Sequence, residues 1–217
     1  VNRVGYPTPD LSHFVSQDLY ETALQTTTTG DGWINRHLQV TATQQDPPVR
    51  ALALSGAMPR SMLGLHPCYA VASTQDLSFL GDSATRAYVE AITEVTPTGG
   101  MASQRALAYQ GGIDAFALID HFAGLDPLNY VPANGAVYPA GALGKALREV
   151  AEVIKQNLGV EFFAVDQQGW DHHSNLVARI ATNATELDQA TNAFFTDLGA
   201  LAADVVLVTM SEFGRES

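Results

Sequence analysis

The sequence predicts an α/β protein with a mostly parallel central sheet, and two apolar runs near its C-terminal end carry this prediction. Residues 160–165 and 205–210 are short, continuous apolar segments, as expected of parallel strands that are covered on both faces. A helical pattern precedes each run, and a polar loop follows it. Because right-handed crossovers join the parallel strands of one sheet, we expect the two polar loops to lie close together.

Apolar residues at three- and four-residue spacing predict the helices around these strands. One such helix ends before Gly159, and its apolar face consists of Leu143, Leu147, Val150, Ile154 and Leu158. A second begins near Thr185, which Asp188 follows in a pattern resembling a capping box. Further helices are expected at residues 12–24, 33–40, 83–95 and 102–122, and further strands at residues 49–55 and 69–72.

Size and composition fit one soluble globular domain. The chain has 217 residues, of which 46% are hydrophobic and 16% are charged. Its formal net charge of −12 argues against nucleic acid or an anionic membrane surface as a partner. No apolar run approaches the length of a membrane span, and the first residues lack the pattern of a signal peptide. The single cysteine, Cys68, excludes an internal disulfide.

Both ends of the sequence look cut. The chain begins at Val1 without a methionine, and it stops at Ser217, directly after an apolar run and its polar loop. We interpret residues 1–217 as a single partial domain, incomplete at both ends, from a longer parent protein.

The residues most suited to chemistry follow the two predicted strands. Asp171, His172 and His173 follow the first, and Glu212 and Arg215 follow the second. Carboxylate and imidazole groups suit a divalent ion such as zinc, manganese or iron, and such an ion can polarise an ester oxygen. The alternatives are a solvated loop for the Asp-His-His stretch and a mutual ion pair for Glu212 and Arg215. Asp166, at the strand end, either orients His173 or simply ends the strand.

Four short motifs resemble those of the DUF1501 family, in the same order and with similar spacers. They are Ser12-His13-Phe14, Gly32-Trp33 with Arg36, the stretch Gly-Trp-Asp-His-His-Ser-Asn at 169–175, and Ser-Glu-Phe-Gly-Arg at 211–215. That family is bacterial, largely uncharacterised and often exported, and it is similar to the alkaline phosphatase and sulfatase superfamily. The resemblance therefore implies a three-layer α/β/α sandwich with one or two metal ions at the carboxyl edge of its sheet.

The resemblance also implies roles for particular residues. Asp171, His173 and Glu212 are implied as metal ligands, with His172 beside them, and zinc or manganese is the expected ion. Arg215 is expected to clamp an anionic oxygen. Ser12 and His13 are candidates for catalytic roles, although Ser12 is most simply a helix cap.

Two functions follow from this reading. The first is that the full-length parent is a metal-dependent hydrolase of phosphate or sulfate esters, periplasmic or otherwise exported, with a small anionic ester as substrate. The second is a non-catalytic exported binding or scaffold protein that keeps the fold with a degenerate metal site. Phe213 favours the second, because it stands where hydrolases of the superfamily have a metal-binding histidine. The Asp-His-His stretch favours the first, and the sequence does not indicate an oligomeric state.

Overall fold

The computed structural model describes residues 12–24, 30–93 and 102–213, with backbone alone at residues 93 and 102–108. Its centre is an open sheet of three parallel strands. These strands are β1 (Ala51–Leu54), β2 (Tyr69–Val71) and β3 (Phe162–Val165), in the spatial order β2–β1–β3. Leu54 lies opposite Val71 on one side and Val165 on the other, so β1 has a neighbour along both edges. The mixed α/β class and the parallel sheet are confirmed.

Six helices accompany these strands in the part of the chain that the structure describes. They are α1 (His13–Thr22), α2 (Trp33–Thr41), α3 (Ser83–Thr93), α4 (Ala102–His121), α5 (Ala142–Lys155) and α6 (Leu176–Leu198). Short 3-10 turns occupy Arg60–Met62, Thr74–Asp76 and Gly199–Asp204. All the predicted helices are therefore present, with some differences in their boundaries.

Apolar contacts cover both faces of the sheet. Because side chains alternate along a strand, Leu52 and Leu54 point to one face and Ala51 and Ala53 to the other. The leucines belong to a core cluster that includes residues of α5 and α6, whereas the alanines pack with Ile34 and Leu38 of α2. This places helices on both sides of three strands. A complete three-layer sandwich would need a larger sheet, so it stays a prediction.

Helix α6 begins nine residues before the predicted start at Thr185. Asn175, in the left-handed conformation at φ 52°, precedes its first residue, Leu176. Thr185 lies inside the helix, where its hydroxyl donates to the carbonyl of Ala181, so it is not a cap. The first half of α6 is largely exposed, although Val177, Ile180 and Ala184 recur there at helical spacing. The second half packs on α5.

Residues 205–210 differ from their prediction as a central strand. They follow the 3-10 turn and do not join the sheet. Val205 has extended backbone angles of −114° and 129°, and it packs with Leu207 against the main core cluster. Val206 and Val208 point outward instead, with 87% and 70% of their surfaces exposed. The segment thus has the alternation of a half-buried strand but no neighbouring strand among the described residues.

Candidate functional site

Two polar side chains meet at the carboxyl edge of the sheet. Ser55 directly follows β1, and Asp166 directly follows β3. The Ser55 hydroxyl donates a hydrogen bond to Oδ2 of Asp166 at 2.8 Å. Ligands of open α/β proteins bind at this edge, because the loops that follow parallel strands converge there.

Helix α1 contacts the residues that follow the 205–210 segment. Nδ1 of His13 lies 3.5 Å from Oε1 of Glu212, and these side chains are 49% and 22% exposed. The His13 ring also meets the ring of Phe213 edge to face, with 4.9 Å between centroids. Ser12 caps the helix, since its hydroxyl accepts a hydrogen bond from the amide of Val15 at 3.4 Å. The structure therefore brings together His13 and Glu212, two of the sequence-predicted site residues.

Tyr20 connects the two parts of this edge. Burial raises the pKa of its phenol to about 12, and the negative charges of Glu21, Glu212 and Asp166 add to the rise. Tyr20 on α1 is therefore within electrostatic reach of carboxylates that follow β3 and the 205–210 segment. Like any tyrosine, Tyr20 is neutral at pH 7, and its phenol can donate a hydrogen bond.

The loop after β3 holds a separate pair. Nε2 of His173 lies 3.0 Å from Oδ2 of Asp171, and both side chains are exposed, at 86% and 54% respectively. The loop is tied to α6, because Nδ2 of Asn183 donates to the carbonyl of Gly169 at 2.7 Å. Asp171 and His173 therefore contact each other, as their spacing allows. Asp166 accepts a hydrogen bond from Ser55, whereas His173 contacts Asp171. The alternative that Asp166 orients His173 therefore stays a prediction.

His172 differs from its two neighbours in the loop. Its Nε2 atom is buried and has no hydrogen-bond partner in the part of the chain that the structure describes. A buried ring nitrogen without a partner is costly unless water or a ligand completes it. His172 therefore presents a polar atom that a bound group can satisfy.

The predicted metal ligands are not gathered into one site. No group of three or more His, Cys, Asp or Glu side chains is placed to hold an ion within residues 12–24, 30–93 and 102–213. Asp171 and His173 form one pair, and Glu212 contacts His13 instead. Arg215, the predicted anion clamp, lies outside the described residues. The roles of these four residues stay predictions.

Ser55 and Tyr20 are edge residues that the sequence reasoning missed. Ser55 had a usable signal, because it is the first polar residue after an apolar run, as Asp166 is after β3. Tyr20 had none, since nothing in the local pattern shows which strand end a helix will face.

A cavity of about 420 Å³ is lined by residues 74–86, which follow β2, and by the end of α4. Its wall is mixed, with Phe79 and Phe122 beside polar residues such as Asp82 and Asp126. Arg86 also lines it, but its guanidinium already bonds Glu90 and Asp120. The cavity therefore presents no unpaired cation to an anionic ester, and the carboxyl edge is the better candidate site.

Comparison with known proteins gives one family match. The model of a family described as "Protein of unknown function (DUF1501)" matches residues 145–217, which include most of α5, β3, α6 and the 205–210 segment. No curated protein and no solved structure matches the chain. The DUF1501 resemblance is thus supported for the C-terminal third of the sequence. Among the described helices, none has the length and apolar character that crossing a membrane requires.

Proposed function

We propose that this protein is a metal-dependent hydrolase of phosphate or sulfate esters, acting on a small anionic substrate at the carboxyl edge of its sheet. Two contacts support the proposal: Ser55 bonds Asp166 at that edge, and His13 lies against Glu212, while the charges of Asp166 and Glu212 both act on Tyr20. The complete fold is proposed to be a three-layer sandwich similar to the alkaline phosphatase superfamily. An exported, periplasmic location is part of the same proposal and rests on the DUF1501 resemblance.

The predicted ligands have the right chemistry for a divalent ion, but they do not form one site. Asp171, His173 and Glu212 would supply oxygen and nitrogen donors of the kind that zinc and manganese take. However, Asp171 bonds His173, and Glu212 contacts His13, so the three donors do not meet in the described part of the chain. His172, with its unpartnered nitrogen, is a further proposed donor. We assign no reaction step to the metal.

The edge residues supply the groups that ester hydrolysis needs. A new bond forms from an attacking oxygen to phosphorus or sulfur, the bond to the leaving oxygen breaks, and one proton moves between the two oxygens. We propose that His13 accepts or donates that proton, and its contacts with Glu212 and Phe213 support this role because they fix its ring. Tyr20 can donate a hydrogen bond to an anionic ester oxygen. Arg215 is the proposed clamp for the same charge.

Water is one candidate attacking group, and the Ser55 hydroxyl is the other. If Ser55 attacks, the phosphoryl or sulfuryl group is held on its oxygen, and water then displaces that oxygen to release the product and restore the hydroxyl. Its proton is donated to Asp166, which leaves the oxygen lone pairs available at the edge. Ser12 is proposed only to fix the start of α1, and thereby His13, through its cap.

The competing proposal is a non-catalytic exported binding or scaffold protein. Its specific support is the contact between His13, Glu212 and Phe213, in which a predicted ligand is engaged by a side chain. In this reading the edge is a packed junction between α1 and residues 211–213.

Assays of metal content and of turnover on aryl phosphates and aryl sulfates separate these proposals. The hydrolase proposal expects turnover that falls about a hundredfold or more in His13→Gln and Asp166→Asn, because each removes a proton-handling or orienting group. His37→Gln is the matched control. His37 is exposed on α2, and its ring lies against Phe162 at the opposite end of β3 from Asp166. Undiminished turnover in His13→Gln would rule out its role. Absence of both metal and turnover would leave the binding protein as the better account.

Calorimetric titration with zinc and with manganese tests the ligand set separately. We expect weak binding that Asp171→Ala abolishes, because Asp171 and His173 provide only two adjacent donors. Tight one-to-one binding would show that a third donor joins them in solution.

A further inference from the structure

Polar contacts attach the C-terminal end of helix α1 to the rest of the molecule. Oε2 of Glu21, which is 5% exposed, accepts a hydrogen bond from the amide of Ser61 at 2.8 Å. Nε of Arg60 lies 3.8 Å from Oδ1 of Asp18. Both contacts join α1 to one 3-10 turn, and Leu19 is the one apolar residue that α1 buries. A helix held at a single turn can pivot, so a second attachment decides its direction.

Arg36 of α2 provides that second attachment. Its Nη2 atom donates to the carbonyl of Thr22 at 2.7 Å, and its Nη1 atom donates to the carbonyl of Asp31. Thr22 is the last residue of α1, and Asp31 lies two residues before α2 begins at Trp33. The guanidinium therefore bridges carbonyls at the two ends of the connection between these helices. A cation at the C-terminus of α1 is also favourable, because the last carbonyls of a helix carry partial negative charge.

Helix α2 is a firm base for this attachment. Leu38 is fully buried in the core cluster that includes alanines of β1. The start of α2 lies directly on the 3-10 turn, because a side chain at Gly32 would collide with the backbone of that turn. The Trp33 ring meets Phe162 of β3 edge to face, with 6.3 Å between ring centroids. Gly32 and Trp33 therefore fix α2 against the turn and the sheet, and Arg36 extends that fixed position to α1.

The direction of α1 sets the position of the candidate site residues that it carries. His13 at its first turn contacts Glu212 and Phe213, and the Glu212 charge also acts on Tyr20 in its last turn. His13 lies nine residues before Thr22, which is about 14 Å along the helix axis. A tilt of about 5° at Thr22 therefore moves His13 by about 1 Å. A displacement of this size at a catalytic group can lower a rate by about a hundredfold.

We propose that Arg36 is a positioning residue: by joining the end of α1 to α2, it sets where His13 and Tyr20 stand at the candidate site. Arg36 bonds backbone carbonyls and takes no part in the chemistry itself. Its planar fork suits two separate carbonyl acceptors better than a lysine ammonium does. The catalytic half of this inference rests on the proposed hydrolase function, whereas the placement of α1 by Arg36 does not.

Nuclear magnetic resonance of the full chain tests the placement of α1 without an assay of activity. The ring protons of His13 and Phe213 are expected to show a nuclear Overhauser effect, because their ring centroids lie 4.9 Å apart. Arg36→Met removes both donors and is expected to abolish that effect. Arg36→Lys is expected to weaken it, because an ammonium replaces the planar fork. Arg148→Met is the matched control, since Arg148 is a half-buried arginine on α5 whose Nη2 also donates to a carbonyl, that of Pro127.

Turnover of aryl phosphates and aryl sulfates tests the catalytic consequence. Arg36→Met is expected to lower kcat about tenfold or more, because His13 and Tyr20 are displaced from the substrate. The same substitution in a chain that already carries His13→Gln and Tyr20→Phe is expected to lower kcat by less than about twofold, because Arg36 acts through these two residues. Arg148→Met is expected to leave kcat unchanged, and circular dichroism of each variant checks that the fold is retained.

Three outcomes would overturn the positioning role. An unchanged ring contact in a folded Arg36→Met chain, or in Arg36→Lys if Arg36→Met does not fold, would show that other contacts hold α1. An equal loss of that contact in Arg148→Met would show a general loosening of the fold. A full tenfold fall in the chain without His13 and Tyr20 would show that Arg36 acts elsewhere. Loss of the ring contact in Arg36→Met, with no turnover by the parent chain, would instead overturn the hydrolase proposal and support the placement of α1 by Arg36.

Discussion

Strand β1 and the 205–210 segment have similar sequences and different surroundings. Both are short apolar runs that are followed by a serine. In β1, Leu52 is 0% exposed, and hydrogen-bonded neighbours lie on both sides. In the segment, Val206 is 87% exposed, and residues 206–210 have no backbone partner among the described residues. An apolar run therefore predicts a tendency to form a strand, and a neighbouring backbone decides whether the strand forms.

The largest expected effect comes from truncating the same kind of side chain in each region. Leu52→Ala should lower the free energy of unfolding by about 3 kcal/mol, because it leaves a cavity in a closed core. Val206→Ala should change that free energy by less than about 0.5 kcal/mol, because the side chain is already in water. Urea denaturation measures both values, and equal losses would mean that Val206 is buried in solution.

A second prediction concerns the helix that leads into the segment. Asp197 of α6 is 1% exposed and accepts hydrogen bonds from Lys155, from the phenols of Tyr130 and Tyr138, and from the amide of Ala133. Asp197→Ala would leave these donors without their acceptor. We expect a loss of about 2 kcal/mol in urea denaturation, because Lys155 is partly exposed and can regain water.

Asp188→Ala is the matched control, since Asp188 is exposed on the same helix. If both variants lost equal stability, the hydrogen bonds to Asp197 would not be what fixes the end of α6. The lack of pairing at 205–210 would then follow from a poorly fixed end of α6, and not from the absence of a neighbouring strand.

The same carboxylate gives a smaller, pH-dependent effect. Burial raises the pKa of Asp197, but the hydrogen bonds from Lys155, Ala133, Tyr130 and Tyr138 outweigh it, so the net pKa lies below the ordinary value of 3.8. A lowered pKa adds stability above pH 3.8, and this is lost as the pH falls through the folded-state value. Asp197→Asn should therefore show a shallower loss of Tm below pH 4 than the parent chain. Parallel acid slopes would contradict this role.

The comparison also shows how far the sequence predicts this structure. Periodicity located the helices, and the largely apolar stretches at 49–55 and 160–165 predicted β1 and β3. The predicted start of α6 is nine residues late, because the prediction extends the polar loop over residues 176–184, where Val177, Ile180 and Ala184 recur at helical spacing. The sequence could not show that the 205–210 segment lacks a partner strand among the described residues, because strand pairing depends on backbone that is distant along the chain.

Local sequence patterns predict only part of the candidate site, because the rest depends on tertiary packing. Strand-end position identified Asp166 and Glu212 as edge residues, and the same signal at Ser55 was available but unused. The meeting of His13 with Glu212 depends on where α1 packs, which no local pattern states. Asp171 and His173 are neighbours in sequence and therefore meet each other, while their proposed contact with Glu212 needs tertiary placement.

Amide hydrogen exchange, resolved by residue, tests the difference between these two regions most directly. The account predicts strong protection for the amides of β1, which form ladder hydrogen bonds on both sides of the strand. It predicts exchange close to that of an unfolded chain for residues 206–210, whose amides have no described partner. Protection of residues 206–210 equal to that of β1, in a monomeric sample, would show that a neighbouring strand is already present and would contradict the account.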